Sequence, residues 1–294
     1  MNRAILAVLA LAASAHAAAA HALAPGGAPD APHDLAELAF AFEPGVVIPL
    51  LLALALWAAG ALRMRGTRDA TPRAAALAFL GGWALLALAL VTPIHPLGQA
   101  LFSAHMVQHE LLMLGAAPLL VLARPTVAFL RAVPPSAARS LVRVGERFRF
   151  LVDPLAAWLV HAIVLWAWHA PGLFERALHE EPVHALQHVS FLAAALLFWE
   201  AVLHGERHGQ GVGVALGSLF TTALHTTLLG VLLTFARAPW YPSYAATAPA
   251  WGMSALDDQQ LGGLVMWIPG GLVYTAAGLV LLRRALRVPE TEAA

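Results

Sequence analysis

Residues 74–93 read AAALAFLGGWALLALALVTP, an unbroken run without a charged side chain. A helix needs about 20 apolar residues to cross the hydrocarbon core of a bilayer. This stretch therefore predicts a membrane-spanning helix. The whole chain has the same character, because 60% of its 294 residues are hydrophobic, 12% are charged and the mean hydropathy is +0.72. We expect an all-α, polytopic membrane protein.

Further apolar runs of similar length follow one another along the chain. Together with the first they cover residues 45–63, 74–93, 104–123, 153–170, 183–203, 213–235 and 260–282. This repetition predicts a bundle of seven transmembrane helices. We assign residues 44–287 to this membrane domain and residues 288–294 to a short cytoplasmic tail.

The distribution of arginine predicts the orientation of the bundle. The connections at 63–73, 124–149 and 205–212 and the segment from 283 onwards hold 4, 6, 1 and 3 arginines, whereas the alternate connections hold only Arg176 and Arg237. Cytoplasmic loops carry the excess of positive charge, so the N-terminal side should face outwards and the C-terminus should lie in the cytoplasm. The 17 basic residues are balanced by 17 acidic ones, which argues against a nucleic-acid partner.

Residues 1–22 have the pattern of a cleavable signal peptide. Arg3 precedes an apolar stretch that is too short to span a bilayer, and Ala15 and Ala17 have the spacing of a cleavage site. Cleavage after Ala22 also fits, and an uncleaved anchor is the alternative. Residues 23–43 are rich in Pro, Gly and Ala and predict a flexible extracytoplasmic tail. We therefore expect a multi-pass protein of a bacterial-type inner membrane.

A group of polar residues interrupts the third apolar run near its predicted outer end. The stretch HMVQHELLM, residues 105–113, places His105 and His109 four residues apart, with Met113 one turn deeper. Residues at this spacing are neighbours on a helix surface, so the two histidines can share one ion. Glu110 lies on an adjacent face, where a carboxylate in hydrocarbon needs a proton, a partner or a metal.

The fifth helix repeats this arrangement, because VHALQH places His184 and His188 four residues apart near its outer end. The fourth helix runs outwards and ends at His169, where Pro171 closes it. Asp258 opens the seventh helix at the same level. The topology therefore predicts one outer layer in which these distant residues lie together.

Metal binding is the chemistry that such a layer favours. The chain has no cysteine, so imidazole must dominate, and neutral imidazole is the commonest metal ligand. Copper suits imidazole with nearby methionine, zinc suits imidazole with carboxylate, and haem held by axial histidines stays open. The candidate ligands are His105, His109, His169, His184, His188, Asp258, Met106, Met113 and Glu110.

Other histidines carry a weaker prediction. His161 and His225 should lie nearer the middle of the membrane, where hydrogen bonding between helices explains them as well as ligation does. His95 and His179 fall in outer connections. His204 and His208 are expected in a solvated loop at the inner end.

Four longer motifs carry a resemblance to a known family. The chain contains, in this order, HMVQHELLMLGAAPLLVLARP, WHAPGLFERAL, VHALQHVSFLAAALLFW and DDQQLGGLVMWIPGGLVY. Over residues 45–287 it resembles the CtaG family of cytochrome c oxidase assembly factors, the multi-spanning kind required for caa-type oxidases. The motif residues of that family map here onto His105, His109, His169, His184, His188, Asp258 and Gln259.

The resemblance implies a plasma-membrane protein of the respiratory chain that aids the maturation of a haem–copper oxidase and is not itself an enzyme. We expect it to assist copper delivery or insertion through the outer histidine layer. Its partners would be cytochrome c oxidase subunits and an extracytoplasmic copper donor. Two other functions stay open, namely a seven-helix zinc-dependent membrane hydrolase with Glu110 or Asp258 as base, and a haem-binding electron-transfer membrane protein.

Overall fold

The computed structural model describes residue 40 and residues 42–205 and 211–286. Within these residues the chain is helical throughout its regular elements and contains no strand. The predicted signal peptide 1–22, nearly all of the tail 23–43 and the C-terminal tail 288–294 lie outside the described residues. The expected all-α class is confirmed.

Long apolar helices account for most of the described chain. Their bounds are Pro44–Arg63, Arg73–Val91, Phe102–Ala123, Glu181–His204, Val212–Thr234 and Ala255–Leu286, and each of these six is long and apolar enough to cross a membrane. A bent pair, Pro154–His169 and Pro171–His179, makes a seventh if it is counted as one span. We number the spans first to seventh on that basis. Shorter helices and turns cover Ile94–Ala100, Thr126–Ala132, Pro135–Arg147, Arg149–Val152, Pro242–Ala245 and Ala248–Trp251.

The first helix of the fourth span ends as expected at His169, but a second helix begins two residues later. Ala170 is extended, and Pro171 then begins a second helix that runs to His179 at 73° to the first. Proline lacks an N–H and has a fixed φ, so it breaks a helix from within yet starts a new one well. The expectation that Pro171 only closes a helix is therefore incomplete.

The third span contains a change of helix type in its middle. It is α-helical over Phe102–Glu110, π-helical over Leu111–Ala116 and α-helical again over Ala117–Ala123. Pro118 cannot donate a hydrogen bond to the carbonyl four residues earlier, which explains why regular pairing fails just ahead of it. Such π segments are frequent at functional sites. This one directly follows His109 and Glu110.

The two ends of the bundle differ in composition. At the histidine end, spans begin at Pro44, Phe102, Glu181 and Ala255. At the opposite arginine end lie the first-span terminus Arg63 and the helices Thr126–Ala132 and Pro135–Arg147. Here Arg63 donates hydrogen bonds to the carbonyls of Arg131 and Ala132, and Arg131 pairs with Asp69.

Candidate metal centre at the histidine end

Two histidine pairs face each other across the third and fifth spans. The ring centroids of His105 and His109 are 4.4 Å apart, and those of His184 and His188 are 4.3 Å apart. Across the gap, His105 lies 5.3 Å from His184 and His109 lies 5.5 Å from His188. All four side chains are buried. The i, i+4 spacing in each helix and the packing of the two helices together produce one four-ring cluster.

Three of these rings have the spacing that a single ion requires. Ligating nitrogens of His105, His109 and His188 all lie within 4.8 Å of one another. Imidazole nitrogens bind an ion such as Zn²⁺ at about 2.0–2.1 Å. Three nitrogens around one ion are therefore about 3.5 Å apart. Small side-chain rotations would close the remaining difference. We call these three residues the histidine triad.

Several nitrogens of the histidine triad are buried without a hydrogen-bond partner. Both ring nitrogens of His109 and the Nε2 of His188 are in this state. An unsatisfied polar atom costs about 1–3 kcal/mol when it is buried. A bound cation would supply the missing partner, so the residues present fit a metal ion.

His105 is oriented by the backbone of a neighbouring helix. Its Nδ1 lies 3.3 Å from the carbonyl oxygen of Gly98, and its Nε2 lies 3.3 Å from the side-chain oxygen Oε1 of Gln187. Both oxygens are acceptors, so a neutral ring can donate to only one of them, and donation from Nδ1 to Gly98 would leave the lone pair on Nε2. Metal-binding histidines commonly have this arrangement, because the second nitrogen donates to a carbonyl and fixes the ring.

His95 belongs to the same cluster, although the sequence placed it only in a connection. It lies in the short helix Ile94–Ala100, is buried, and stacks on His184 with centroids 5.3 Å apart and an angle of 14°. Its Nδ1 accepts from Gln108 at 2.9 Å, and its Nε2 lies 3.3 Å from Glu43. Its place at the outer end of the second helix was the only signal that the sequence offered.

His169 lies beside the cluster rather than in it. Its Nδ1 donates to the carbonyl of Leu165 at 2.7 Å, and its Nε2 is buried without a partner. Two aromatic rings contact both His169 and a member of the triad. Phe174 is 6.5 Å from His169 and 5.0 Å from His105 by centroid, and Phe191 is 6.2 Å from His169 and 4.5 Å from His109.

Asp258 reaches the third span from the seventh and binds its first turn. Its carboxylate accepts hydrogen bonds from the backbone N–H of Phe102 at 2.6 Å and of Ser103 at 3.0 Å, and from the Ser103 hydroxyl at 2.5 Å. The first N–H groups of a helix have no partner within it, so a carboxylate there acts as a cap. The structure therefore places Asp258 one turn before His105 and engages both of its oxygens.

Two of the remaining predicted ligands, Glu110 and Met106, lie near the seventh span. A Cβ atom added at Gly270 would lie 3.9 Å from Oε2 of Glu110, and one added at Gly262 would lie 3.3 Å from Cγ of Met106. Met113 is buried one turn below His109, where its carbonyl accepts from Trp199 at 2.9 Å. The structure thus brings the two histidine pairs together and directs Glu110 and Met106 elsewhere.

Residues 235–254, between the sixth and seventh spans, cover the histidine end. The hydroxyl of Tyr241 donates to the carbonyl of His169, and that of Tyr244 donates to the carbonyl of Gly98, both at 2.9 Å. Burial raises the pKa of both tyrosines, so each stays a hydroxyl donor. Since Gly98 also holds His105, the covering segment and the histidine triad share one anchor.

The histidines outside this cluster differ from their predictions in one respect. His204 is buried rather than solvated, with its Nδ1 2.9 Å from Glu200 and its Nε2 accepting from Arg124 at 3.0 Å. The sequence could not show that the fifth span continues far enough to bury it. His208 lies outside the described residues. His161 and His225 approach to 6.3 Å between ring centroids, and Trp166 donates to His225 at 3.4 Å.

The model of the cytochrome c oxidase caa3 assembly factors matches residues 53–288, which include every histidine of the cluster. The chain belongs to this family. The resemblance drawn from the four sequence motifs is thereby confirmed.

The chain is also similar to curated proteins of uncharacterized function. An uncharacterized protein of Mycobacterium bovis is 27% identical over 253 residues, which are 80% of this chain and 38% of the relative. An uncharacterized protein of Mycobacterium leprae is 25% identical over 226 residues, or 72% of this chain and 34% of the relative. The chain thus spans less than two fifths of the length of these relatives. No solved structure matches it.

Proposed function

We propose that this chain assists the assembly of a cytochrome c oxidase by holding Cu(I) at the histidine triad and passing it to an oxidase subunit. The observation that carries the proposal is the approach of nitrogens from His105, His109 and His188 to within 4.8 Å inside the buried end of the bundle. Membership of the caa3 assembly-factor family supplies the context.

The choice of copper follows from the ligands and from the family. Imidazole binds copper, zinc, iron and nickel, so the triad alone does not select among them. Cytochrome c oxidases are haem–copper enzymes, and their assembly requires copper to reach a buried centre. A chain without cysteine can hold Cu(I) through neutral imidazole, which adds no anionic ligand at membrane depth.

The geometry also suits release of the ion. Three imidazoles leave an open coordination position, whereas a closed tetrahedral cage would retain the metal. His184 stacks beside the triad and His95 stacks on His184, so further imidazoles lie next to the bound position. Exchange between neighbouring ligands lowers the barrier to transfer. An oxidase subunit docked at the histidine end would offer the next ligand.

The orientation that we propose puts the histidine end outside the inner membrane. The arginines that favour a cytoplasmic position lie at the other end, where Arg63 and Arg131 hold the first loop to the helix Thr126–Ala132. An extracytoplasmic copper donor could then reach the cluster without crossing the bilayer.

The zinc hydrolase and the haem carrier receive less support. A hydrolase needs a base at the metal, yet Glu110 faces Gly270 and Asp258 caps the third span. A haem needs a flat slot between two axial rings, whereas the rings of the cluster contact one another at 4.3–6.1 Å between centroids. The positions of these side chains favour a single small ion.

Copper binding by a triad variant tests the proposal. We expect His109→Gln to lower the Cu(I) affinity of the detergent-purified protein by at least about tenfold, because even groups that only orient a ligand contribute 10–100-fold. The exposed His179, which lies outside the cluster, provides the matched control His179→Gln. Competition with a Cu(I) chelator measures both affinities.

A second measurement connects binding with assembly. Cells that carry His109→Gln should retain the protein in the membrane and yield cytochrome c oxidase with less copper per enzyme than cells that carry His179→Gln. An unchanged Cu(I) affinity in His109→Gln would refute the site. A lowered affinity with normal oxidase copper would refute the delivery role alone.

A further inference from the structure

A cavity of about 190 Å³ lies between the first, second, third and fifth spans. Its walls are almost wholly apolar, and they include Leu50, Leu86, Leu120, Leu192 and Leu196. The cavity is independent of the bonds that build the histidine triad, although it reaches that site at one end. Its size and lining point to a ligand that the copper proposal does not involve.

The packing of the first span explains why the space exists. This span lies against the helix Thr126–Ala132 so closely that a Cβ on Gly60 would be 1.8 Å from the carbonyl oxygen of Ala128. It is also tied to the second span, because Trp83 donates to the carbonyl of Leu50 at 2.8 Å. Both contacts hold it away from the fifth span. The two spans face each other across the cavity.

Polar groups occur at the two ends of the cavity. His188 lines one end, and Glu200 and Arg124 line the other. His188 and Glu200 belong to the same helix, where twelve residues at 1.5 Å each correspond to about 18 Å. The cavity therefore runs from the histidine end towards the arginine end with an apolar wall between.

Such a space at membrane depth suits hydrocarbon and not water. A buried water needs two to four polar partners, whereas an apolar cavity of about 150 Å³ stays dry and accepts benzene. The present cavity is larger and extends along the direction of the spans. It can accommodate a segment of a single hydrocarbon chain.

Arg124 gives this ligand a charge preference. Arg124 is an exposed residue at the arginine end, and its Nε donates to His204 at 3.0 Å, which in turn lies 2.9 Å from Glu200. Arg124 adopts a left-handed backbone conformation, with φ 48°, at the end of the third span. Guanidinium groups bind phosphate oxygens with parallel hydrogen bonds.

We propose that the cavity binds one acyl chain of an anionic phospholipid whose phosphate group contacts Arg124. The chain would fill the space between the first and fifth spans and end near His188. It would keep water away from that side of the histidine triad. The head group would lie among the arginines of the opposite end, where anionic lipids are attracted.

Lipid retention tests this proposal through a cavity-filling variant. Leu192→Trp places a bulky indole ring inside the cavity. Leu224→Trp adds the same ring at a position on the sixth span where the side chain is 62% exposed. Native mass spectrometry of gently extracted protein should show one phospholipid on the wild type and on Leu224→Trp. Leu192→Trp should show at least about tenfold lower occupancy, because overpacking excludes the chain.

The head-group preference needs a separate pair of variants. After delipidation, the protein is exchanged with vesicles of phosphatidylglycerol or of phosphatidylcholine. We expect the wild type, Arg124→Lys and the exposed control Arg139→Gln to retain the anionic lipid preferentially, and Arg124→Gln to lose that preference. Thermal unfolding of each variant verifies that it is folded.

Three outcomes would overturn the proposal. Equal lipid content in Leu192→Trp and Leu224→Trp would show that the cavity holds no lipid. Equal retention of the two vesicle lipids by the wild type would remove the role of Arg124. Recovery of an isoprenoid in place of a phospholipid would identify a different occupant. None of these results depends on whether the histidine triad binds copper.

Discussion

At the residue scale, the geometry of the histidine triad depends on helical spacing and on the hydrogen-bond partner of one ring. The pair His105 and His109 arises from i, i+4 spacing on one helix, and the carbonyl oxygen of Gly98 lies 3.3 Å from Nδ1 of His105. The sequence predicted the spacing of these residues. The carbonyl that orients His105 comes from the preceding helix Ile94–Ala100, and no pattern in the sequence predicts this partner.

The chain Glu43–His95–Gln108 makes a testable contribution to the site. His95 has hydrogen-bond contacts on both nitrogens and stacks on His184. We expect His95→Phe to keep the ring volume near His184 but to lower the Cu(I) affinity by about 10–100-fold, as loss of an orienting partner does. Chelator competition measures the change. An affinity equal to that of His179→Gln would contradict this role.

Asp258 provides a second prediction at the residue scale. Removal of its carboxylate in Asp258→Ala leaves the first N–H groups of the third span without acceptors, at a cost of about 2 kcal/mol. Ser103→Ala removes only one of the three donors and serves as a graded comparison. We expect the unfolding temperature in detergent to fall more for Asp258→Ala. Equal losses in the two variants would contradict the capping role.

At the scale of elements, the third span changes from α-helix to π-helix and back. The π segment Leu111–Ala116 widens the helix directly after the triad residue His109. A π turn adds a residue to the turn and so shifts the faces on either side relative to each other. Met113 lies inside this π segment, beyond the regular α-helical turn that spaces His105 and His109.

The sixth and seventh spans meet at a glycine contact that can be tested. A Cβ on Gly263 would lie 2.7 Å from the carbonyl oxygen of Gly230 and 2.7 Å from the backbone nitrogen of Thr234. Backbone atoms cannot yield as side chains do, so we expect Gly263→Ala to destabilise the protein by about 1–3 kcal/mol. Gly271→Ala, where nothing lies within 4 Å, is the matched control.

Thermal unfolding in detergent compares the two alanine variants. The unfolding temperature should fall in Gly263→Ala and should be unchanged or slightly raised in Gly271→Ala, because alanine favours a helix interior over glycine. A fall of equal size in both variants would show that the contact has no special importance.

At the scale of the whole molecule, the distribution of charge predicts the topology, and the packing of the spans forms the site. The arginine end contains the basic connections and the Arg131–Asp69 pair, and the histidine end contains the buried rings. This division predicts the topology without any reference to the site. The site requires the bundle because its ligands come from the third and fifth spans.

Reporter fusions test the predicted orientation. Alkaline phosphatase fused after residue 294 should be inactive, and phosphatase fused after residue 252, between the sixth and seventh spans, should be active, because the enzyme folds only outside the cytoplasm. A fluorescent protein at the same two positions should give the opposite pattern. Activity at both positions, or the reverse pattern, would contradict the arginine rule for this chain.

Hydrophobic runs were sufficient to predict an all-α membrane protein, and the resemblance of four longer motifs to a known family was sufficient to predict the family. These features are local or additive, so they can be read along the chain. The approach of His95, the contacts of Phe174 and Phe191 with both His169 and the triad, and the use of Asp258 as a cap were not predictable. Each depends on contacts between residues that are far apart in sequence.

The cavity beside His188 illustrates the same distinction. The leucines that line it look in the sequence like ordinary lipid-facing or core leucines, and nothing in the sequence distinguishes Arg124 from the thirteen other arginines on its side. A cavity is a space between helix surfaces that do not contact each other, so it exists only once the helices are packed. Hydrophobicity decides that the spans enter the membrane, and packing between them decides where a ligand can bind.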